Sequence, residues 1–394
     1  MLFNARVKAD GSALILSVIV YALQWKTAAS LDTDILQYTV LLCNKIGAEY
    51  GARPAAFPTI TSRPSMKITA QKTGCDYGEE GVFRGTFRFE NPILADYTWP
   101  LCEIRGTQPG PRLCVSAGVH VNEVSSIEAS IRLQRLFDPE KMRGSVSIIP
   151  VINQPAIHKY SEYVCPVDGK NINHTFPGRT DGTFSEVLCD AVLNEWVKGA
   201  DCYIDMHGGD LKEKVSWFTI FQRTGVDKFD DAARDIAMCF NSEIVLALGP
   251  EYMQRPGRPP TACALRKQVA IMTEAGSNGL LSEKDISFHV EGVLNVARLL
   301  GIIDSQPTSA TNGRSLCDSY IWVECPSDGD FHAEVEPGSI VREGQRLGSV
   351  RDIFGKVLDE VFAPATGFVL WRITHPSIRK GDALLTIVEE AHAE

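Results

Sequence analysis

Four short apolar runs, residues 113–117, 146–151, 202–206 and 269–273, alternate with stretches of helical apolar spacing at 125–137, 185–198, 228–240 and 285–300. Runs of five or six residues have the length of buried strands, and helices are the usual connections between parallel strands. The pattern predicts an α/β domain. Each run is followed by a polar group: His120 after the first, Asn153 after the second, His207 after the third and Glu274 after the fourth. Open α/β sheets build their sites outside the carboxyl ends of their strands. Four separate runs therefore deliver polar side chains to one edge.

Two of those ends carry metal-ligand chemistry. His120 and Glu123 are three residues apart, a spacing that lets both reach one ion from a single turn. His207, in Asp205-Met-His207-Gly208-Gly209, adds a second imidazole. Two histidines and a carboxylate are the ligand set of a catalytic zinc, one ion per chain, whose remaining position holds a water with a pKa lowered to about 7. A lone H-x-x-E also arises at any solvated helix start. The second histidine segment and the small residues before His120 favour metal. Cobalt and manganese suit the same donors. Asp205 either orients a ligand imidazole or caps a turn.

A formal charge of -10 speaks against a general nucleic-acid or anionic-membrane surface and leaves a small molecule as the expected partner. Eleven cysteines, an odd number without a C-x-x-C pair, read as reduced thiols in a cytoplasmic chain. Arg6 and Lys8 before the apolar run 13–23 loosely imitate a signal peptide. That run is too short to span a bilayer as a helix, and secretion is the lesser reading. Regular patterning begins at Met66, so residues 1–65 are an N-terminal extension of unassigned role.

The segments Ala117-Gly-Val-His-Val-Asn-Glu123, Asp168-Gly-Lys-Asn-Ile-Asn-His-Thr-Phe-Pro-Gly178, Ile204-Asp-Met-His207 and Thr273-Glu-Ala-Gly276 together resemble, in the same order, the motifs of the succinylglutamate desuccinylase/aspartoacylase family of zinc amidohydrolases, relatives of the zinc carboxypeptidases. The resemblance covers roughly residues 66–392. It implies a zinc carboxypeptidase-like three-layer α/β/α domain with a mixed sheet over residues 66–304. It further implies zinc on His120, Glu123 and His207, Glu274 as general acid/base, and hydrolysis of the amide of a small N-acyl amino acid or related N-acyl amine. Glu274 suits that role in its own right, since burial between an apolar strand and Ala-Gly would raise its pKa toward neutrality. Its plainer alternative is a cap on the turn at Gly276. Asn173 is carried over as a substrate-positioning amide, with a turn cap as the alternative.

Two departures from the family pattern bear on substrate. Family members commonly read Asn-Leu-Asn-Arg before Phe-Pro-Gly, with the arginine binding a substrate carboxylate; here His174 takes that place. A further arginine beside an aromatic usually helps polarise the scissile carbonyl, and its best match is Glu162 beside Tyr163. Two guanidinium forks for anions are thus missing. The expected substrate presents a neutral or cationic group where the relatives' substrates present carboxylate. His174 offers one hydrogen bond, or as imidazolium steadies an oxyanion, and Arg179 lies near enough in sequence to replace the lost charge. Arg255 and Arg258 fall in a Pro- and Gly-rich stretch and read as solvated loop residues, with contact to substrate as the alternative. A metallocarboxypeptidase acting on peptides and a catalytically inactive zinc or small-molecule binding homologue remain the competing functions.

Residues 305–315 read as a polar linker, and beyond it lie short β-type runs punctuated by glycine. The near-repeats at 337–344 and 376–382 predict a pseudo-symmetric β module over 316–394. This segment resembles the biotinyl/lipoyl-type barrel-sandwich appended to many members of the deacylase group. Lys356 lies near the position of a lipoyl lysine but lacks the flanking residues of a modified one, so it reads as unmodified. The module is expected to wall the mouth of the site or to join a homo-oligomer interface.

Overall fold

Side-chain alternation along the strands decides how the layers stack. In the computed structural model, which describes residues 81–254, 256–308 and 315–389, ten strands lie between Val82 and Cys317. They are β1 (Val82–Phe87), β2 (Trp99–Arg105), β3 (Gln108–Ser116), β4 (Arg143–Ile149), β5 (Cys202–His207), β6 (Glu213–Val215), β7 (Phe218–Gln222), β8 (Ile244–Leu248), β9 (Ala270–Glu274) and β10 (Ser315–Cys317). All but β6 form one nine-stranded mixed sheet in the order β1-β2-β4-β3-β5-β9-β7-β8-β10. The four runs legible in the sequence are β4, β3, β5 and β9, which lie side by side and parallel at its centre. The N-terminal extension, Met66, Arg255 and residues 309–314 of the linker lie outside the described residues.

Five helices cover this sheet: α1 (Val124–Leu133), α2 (Phe184–Ala191), α3 (Asp227–Ala237), α4 (Pro259–Leu265) and α5 (Glu283–Leu299). Ala129 of α1, Ile236 of α3 and Val293 of α5 pack with Val115 and Ile204 on one face. Leu188 of α2 and Cys263 of α4 pack with Cys114 and Tyr203 on the other. Consecutive residues of each central strand thus enter opposite cores, which is why these strands read as unbroken apolar runs. Trp99 and Trp196 are fully buried, and each indole N–H donates to an oxygen, Ile152 O at 2.8 Å and Ser147 Oγ at 2.8 Å. Burial of a large ring is then uncompromised by an orphaned donor.

The helices leave part of the second face uncovered. Val245 and Ala247 of β8 join the core under α3 and α5, while Ile244, Leu246 and Leu248 point the other way. The C-terminal strands lie over that second surface: β11 (Ile321–Glu324), β12 (Gly329–Ala333), β13 (Ile340–Val341), β14 (Arg346–Arg351), β15 (Val357–Phe362), β16 (Gly367–Ile373), β17 (Ser377–Ile378) and β18 (Ala383–Val388). They form two sheets, β11-β18-β16-β13 and β15-β14-β12-β17. The near-repeats supply β13 and β17, each a two-residue strand on the edge of a different sheet, as pseudo-symmetry requires. β6 hydrogen-bonds to β16, with Val215 opposite Trp371 and Glu213 opposite Ile373. Ser315, at the end of the expected linker, already pairs with Ile244 in the large sheet. The two parts are therefore joined through both sheets. Lys356 closes the turn between β14 and β15, its backbone N–H donating to Asp352 Oδ1.

Candidate active site

The carboxyl ends of β3, β5 and β9 assemble the site. After Ser116 the chain turns at Gly118, whose φ of 62° and 3.0 Å approach of a hypothetical Cβ to Val151 Cα leave no room for a side chain. This turn delivers His120, and α1 starts directly after Glu123. At the end of β5, Gly208 passes so close to Ala275 O that a Cβ would meet it at 2.3 Å, and its N–H donates to Glu123 Oε2 at 3.2 Å.

The two imidazoles converge on Glu123: His120 Nδ1 lies 2.6 Å from Oε1 and His207 Nδ1 lies 2.9 Å from Oε2. Ligand atoms of the three residues all fall within 4.8 Å of one another, and all three residues are buried. Each ring's far nitrogen is engaged by an oxygen. His207 Nε2 is 2.8 Å from Asp205 Oδ2, and His120 Nε2 is 3.0 Å from Asn171 Oδ1. A proton held on Nε2 leaves the Nδ1 lone pair free, the tautomer a metal requires. Asp205 is itself fixed by Ser116 Oγ, which also contacts Tyr203 OH at 2.7 Å. The donor set fits a divalent ion of the zinc type. Burial opposes charge on all three residues, yet their mutual attraction prevails. It lowers the Glu123 pKa to about 2, raises that of His120 and raises that of His207 well above its ordinary value.

Strand pairing sets Glu274 directly opposite His207. Burial raises its pKa well above the usual carboxylate range; His207 and Arg258 pull it down, while Glu123 and Glu213 push it up. Nearby, Tyr163 OH donates to Glu213 Oε1 at 2.6 Å, and the Tyr163 ring meets that of His120 edge-on at 5.6 Å. A cavity of about 440 Å³ opens from this cluster and is walled on its far side by β11, β16 and β18 of the first C-terminal sheet.

The structure brings His120, Glu123, His207, Glu274, Asn173 and His174 to this one cavity. Asn173 is buried, and among the described residues its Oδ1 has no hydrogen-bond partner. Burial first, and then Arg258 and His120, lower the pKa of His174 below its ordinary value. Arg179 is not among the lining residues. Its side chain, 62% exposed, lies 3.6 Å from Asp181 and 3.9 Å from Glu186. Glu162 pairs with Lys212 at 2.9 Å. Asn153 lies buried beneath the His120 turn, its amide donating to Val119 O, so that polar end supports the site rather than facing the cavity.

Two residues outweigh their sequence signal. Asn171, given no role within the 168–178 motif, holds His120. Arg258, read as solvated, lines the cavity, and Gly257 beside it presses on the His174 backbone. A guanidinium opposite the place of the missing arginine could have been sought among the loop arginines, but only the fold shows which one returns. Cys102, Cys114, Cys165, Cys189, Cys202, Cys263 and Cys325 are in no disulfide, and no described helix is long and apolar enough to cross a membrane.

The family described as succinylglutamate desuccinylase/aspartoacylase catalytic domain matches residues 109–300. The chain is 24% identical over 325 residues to N-alpha-acetyl-L-2,4-diaminobutyric acid deacetylase of Halomonas elongata, covering 80% of this chain and 93% of that protein. Among solved structures it is similar to a succinylglutamate desuccinylase/aspartoacylase from Rhodobacter sphaeroides, with a TM-score of 0.71, 24% identity, and coverage of 82% of this chain and 99% of the other. The product-bound ectoine utilization protein EutE (DoeB) from Ruegeria pomeroyi gives a TM-score of 0.71 at 24% identity, covering 80% and 97%.

Proposed function

We propose that this chain, which belongs to the succinylglutamate desuccinylase/aspartoacylase family, is a zinc-dependent deacylase that hydrolyses the amide bond of a small N-acyl amino acid or N-acyl amine. The observation that carries this reading is the convergence of His120 Nδ1 and His207 Nδ1 on Glu123, with Glu274 in register beside His207.

Zinc held by His120, Glu123 and His207 would acidify a water and polarise the acyl carbonyl. The protein's own groups do the rest. Glu274, as carboxylate, takes the proton of the attacking water as its oxygen bonds the acyl carbon. It then returns that proton to the nitrogen as the carbon–nitrogen bond breaks, releasing a carboxylate and an amine. A pKa raised by burial makes this residue basic enough to accept the proton and acidic enough to give it back. Asp205 and Asn171 hold the two imidazoles in the ligating tautomer. Asn173, which lines the cavity, positions the substrate through its side-chain amide.

His174 and Glu162 leave the cavity short of the anion forks that dicarboxylate substrates need; its cations are Arg258 and Lys212, the latter paired with Glu162. The Halomonas relative, named for a substrate with a second amino group, is in keeping with a substrate that lacks a second carboxylate. Assaying N-acetyl-aspartate, N-acetyl-diaminobutyrate and neutral N-acetyl amino acids with and without a chelator tests the proposal. Turnover that disappears on chelation and returns with zinc is expected. No turnover of any member by zinc-loaded protein would refute it.

A further inference from the structure

The cavity is larger and more apolar than a site for a small polar amine requires, and its apolar part starts at Glu274. His207, Glu274 and Phe218 form one row across β5, β9 and β7. Residues opposite one another on paired strands project to the same face. Phe218 therefore shares the face of Glu274. One step further along the strands, Met272 pairs with Ile220, and Ile220 with Leu246. Met272, Phe218, Ile220 and Leu246 all line the cavity although each is at least 90% shielded from solvent. They form the floor of a chamber rather than an open surface.

Across from this floor, β16 of the C-terminal sheets presents Leu370 and Trp371. Trp371 meets Trp322 edge-on at 5.4 Å, and Trp322 meets Tyr320 at 6.0 Å, so three aromatic rings frame the outer end. Asp382 also reaches the lining, but it is exposed and accepts from the Arg379 N–H. Among the described residues, the charged groups of the cavity otherwise gather near the metal ligands, where Arg258, Lys212 and Glu213 stand.

The proton shuttle relates the two halves of the substrate to this chamber. The acyl carbon must lie on the metal side of Glu274, and the nitrogen that receives the proton must lie next to it. The next side chains on the face of Glu274, away from His207, are those of Phe218 and Met272, so a group carried on that nitrogen has an apolar surface beside it. We infer that the amine half of the substrate bears a bulky apolar group, aromatic or branched aliphatic, which fills the chamber between the β9-β7-β8 face and β16. This inference rests on the deacylase reading and specifies its substrate class. A volume of about 440 Å³ is within the range of pockets that enclose such a molecule.

The test compares kcat/KM of the zinc-loaded enzyme on the N-acetyl derivatives of alanine, aspartate, diaminobutyrate, leucine and phenylalanine. Passing from alanine to phenylalanine should raise kcat/KM by about 10- to 100-fold, the range by which apolar pockets discriminate size. Leu246→Gln should cut the phenylalanine-to-alanine ratio by about tenfold while Leu246→Met retains it. Calorimetric binding of L-phenylalanine against L-alanine to the wild-type enzyme gives a readout independent of whether L246Q folds. Faster turnover of the aspartate or diaminobutyrate derivative than of phenylalanine would overturn the inference and leave the deacylase reading standing. If no derivative is hydrolysed the deacylase reading falls, and the binding decides for the chamber: preferential binding of phenylalanine supports it, and none overturns it.

Discussion

Replacing Asp205 by asparagine isolates how the buried network prepares the metal site. Asp205 is fully buried and its Oδ2 lies 2.8 Å from His207 Nε2, with Ser116 holding the other oxygen. The carboxylate can only accept, so it requires the proton on Nε2 and leaves Nδ1 free. An amide of the same shape can instead present N–H to Nε2, which stabilises the opposite tautomer and places a proton where the metal should bind. Partners of this kind contribute 10–100-fold to metal affinity, equivalent to about 1.4–2.8 kcal/mol. D205N should accordingly bind zinc about 10–100-fold more weakly in competition with a chromophoric chelator. Excess zinc should restore much of the activity, because neither Glu274 nor the cavity is altered. Unchanged zinc affinity in a folded D205N would refute the argument that Asp205 sets the tautomer of His207.

Other expectations follow from individual side chains. Glu274→Gln should lower kcat by about 10²–10⁴-fold while leaving zinc affinity close to wild type, since Glu274 is not a ligand; parallel kinetics and metal titration check both. Asn173→Ala should raise KM more than it lowers kcat if its side-chain amide binds ground-state substrate; a pure loss of kcat would contradict that role. His289 is buried between Thr273 Oγ1 at 3.0 Å and Ala275 O at 3.2 Å, and burial lowers its pKa to about 4. Above pH 6.5 it is neutral both folded and unfolded and contributes nothing to the pH dependence. As pH falls below 6.5 the unfolded chain protonates first, so stability drops by about 3 kcal/mol by the time pH 4 is passed. Urea unfolding at pH 7 and pH 4.5 should show this loss, and a His289→Gln variant that loses as much stability as wild type over that range would disprove it.

The centre of the fold was legible because β3, β4, β5 and β9 are buried on both faces and read as continuous apolar runs. β1 lies at one edge, where partial exposure weakens that signal, and in the largely buried β2 beside it Pro100 and Glu103 interrupt the apolar run. β7 and β8 are as apolar as the central strands, but their second face is covered by the C-terminal sheets, a contact between distant segments that no local window reveals. The three candidate ligands, which the fold brings together, were legible for a similar reason. His120 and Glu123 are fixed by a three-residue spacing, and His207 ends a strand. Arg179 and Arg258 show the opposite case. Each follows a proline or glycine turn, and the sequence favoured Arg179 because it adjoins His174. The fold turns Arg179 toward Asp181 and Glu186, while Gly257 packs on His174 and brings Arg258 to the cavity. Proximity along the chain was a poor guide because the partner of the 174 turn comes from a segment more than eighty residues away.

The central claim is that two histidines and one carboxylate of this chain hold a single ion. Elemental analysis of the purified protein and of a His207→Ala variant, combined with X-ray absorption at the metal edge, tests it most directly. The account predicts one zinc per chain in the wild type, coordinated by two imidazole nitrogens and carboxylate oxygen, and loss of that zinc in H207A. A wild-type protein that binds no stoichiometric metal when zinc is supplied, or whose zinc survives in H207A with unchanged coordination, would contradict it.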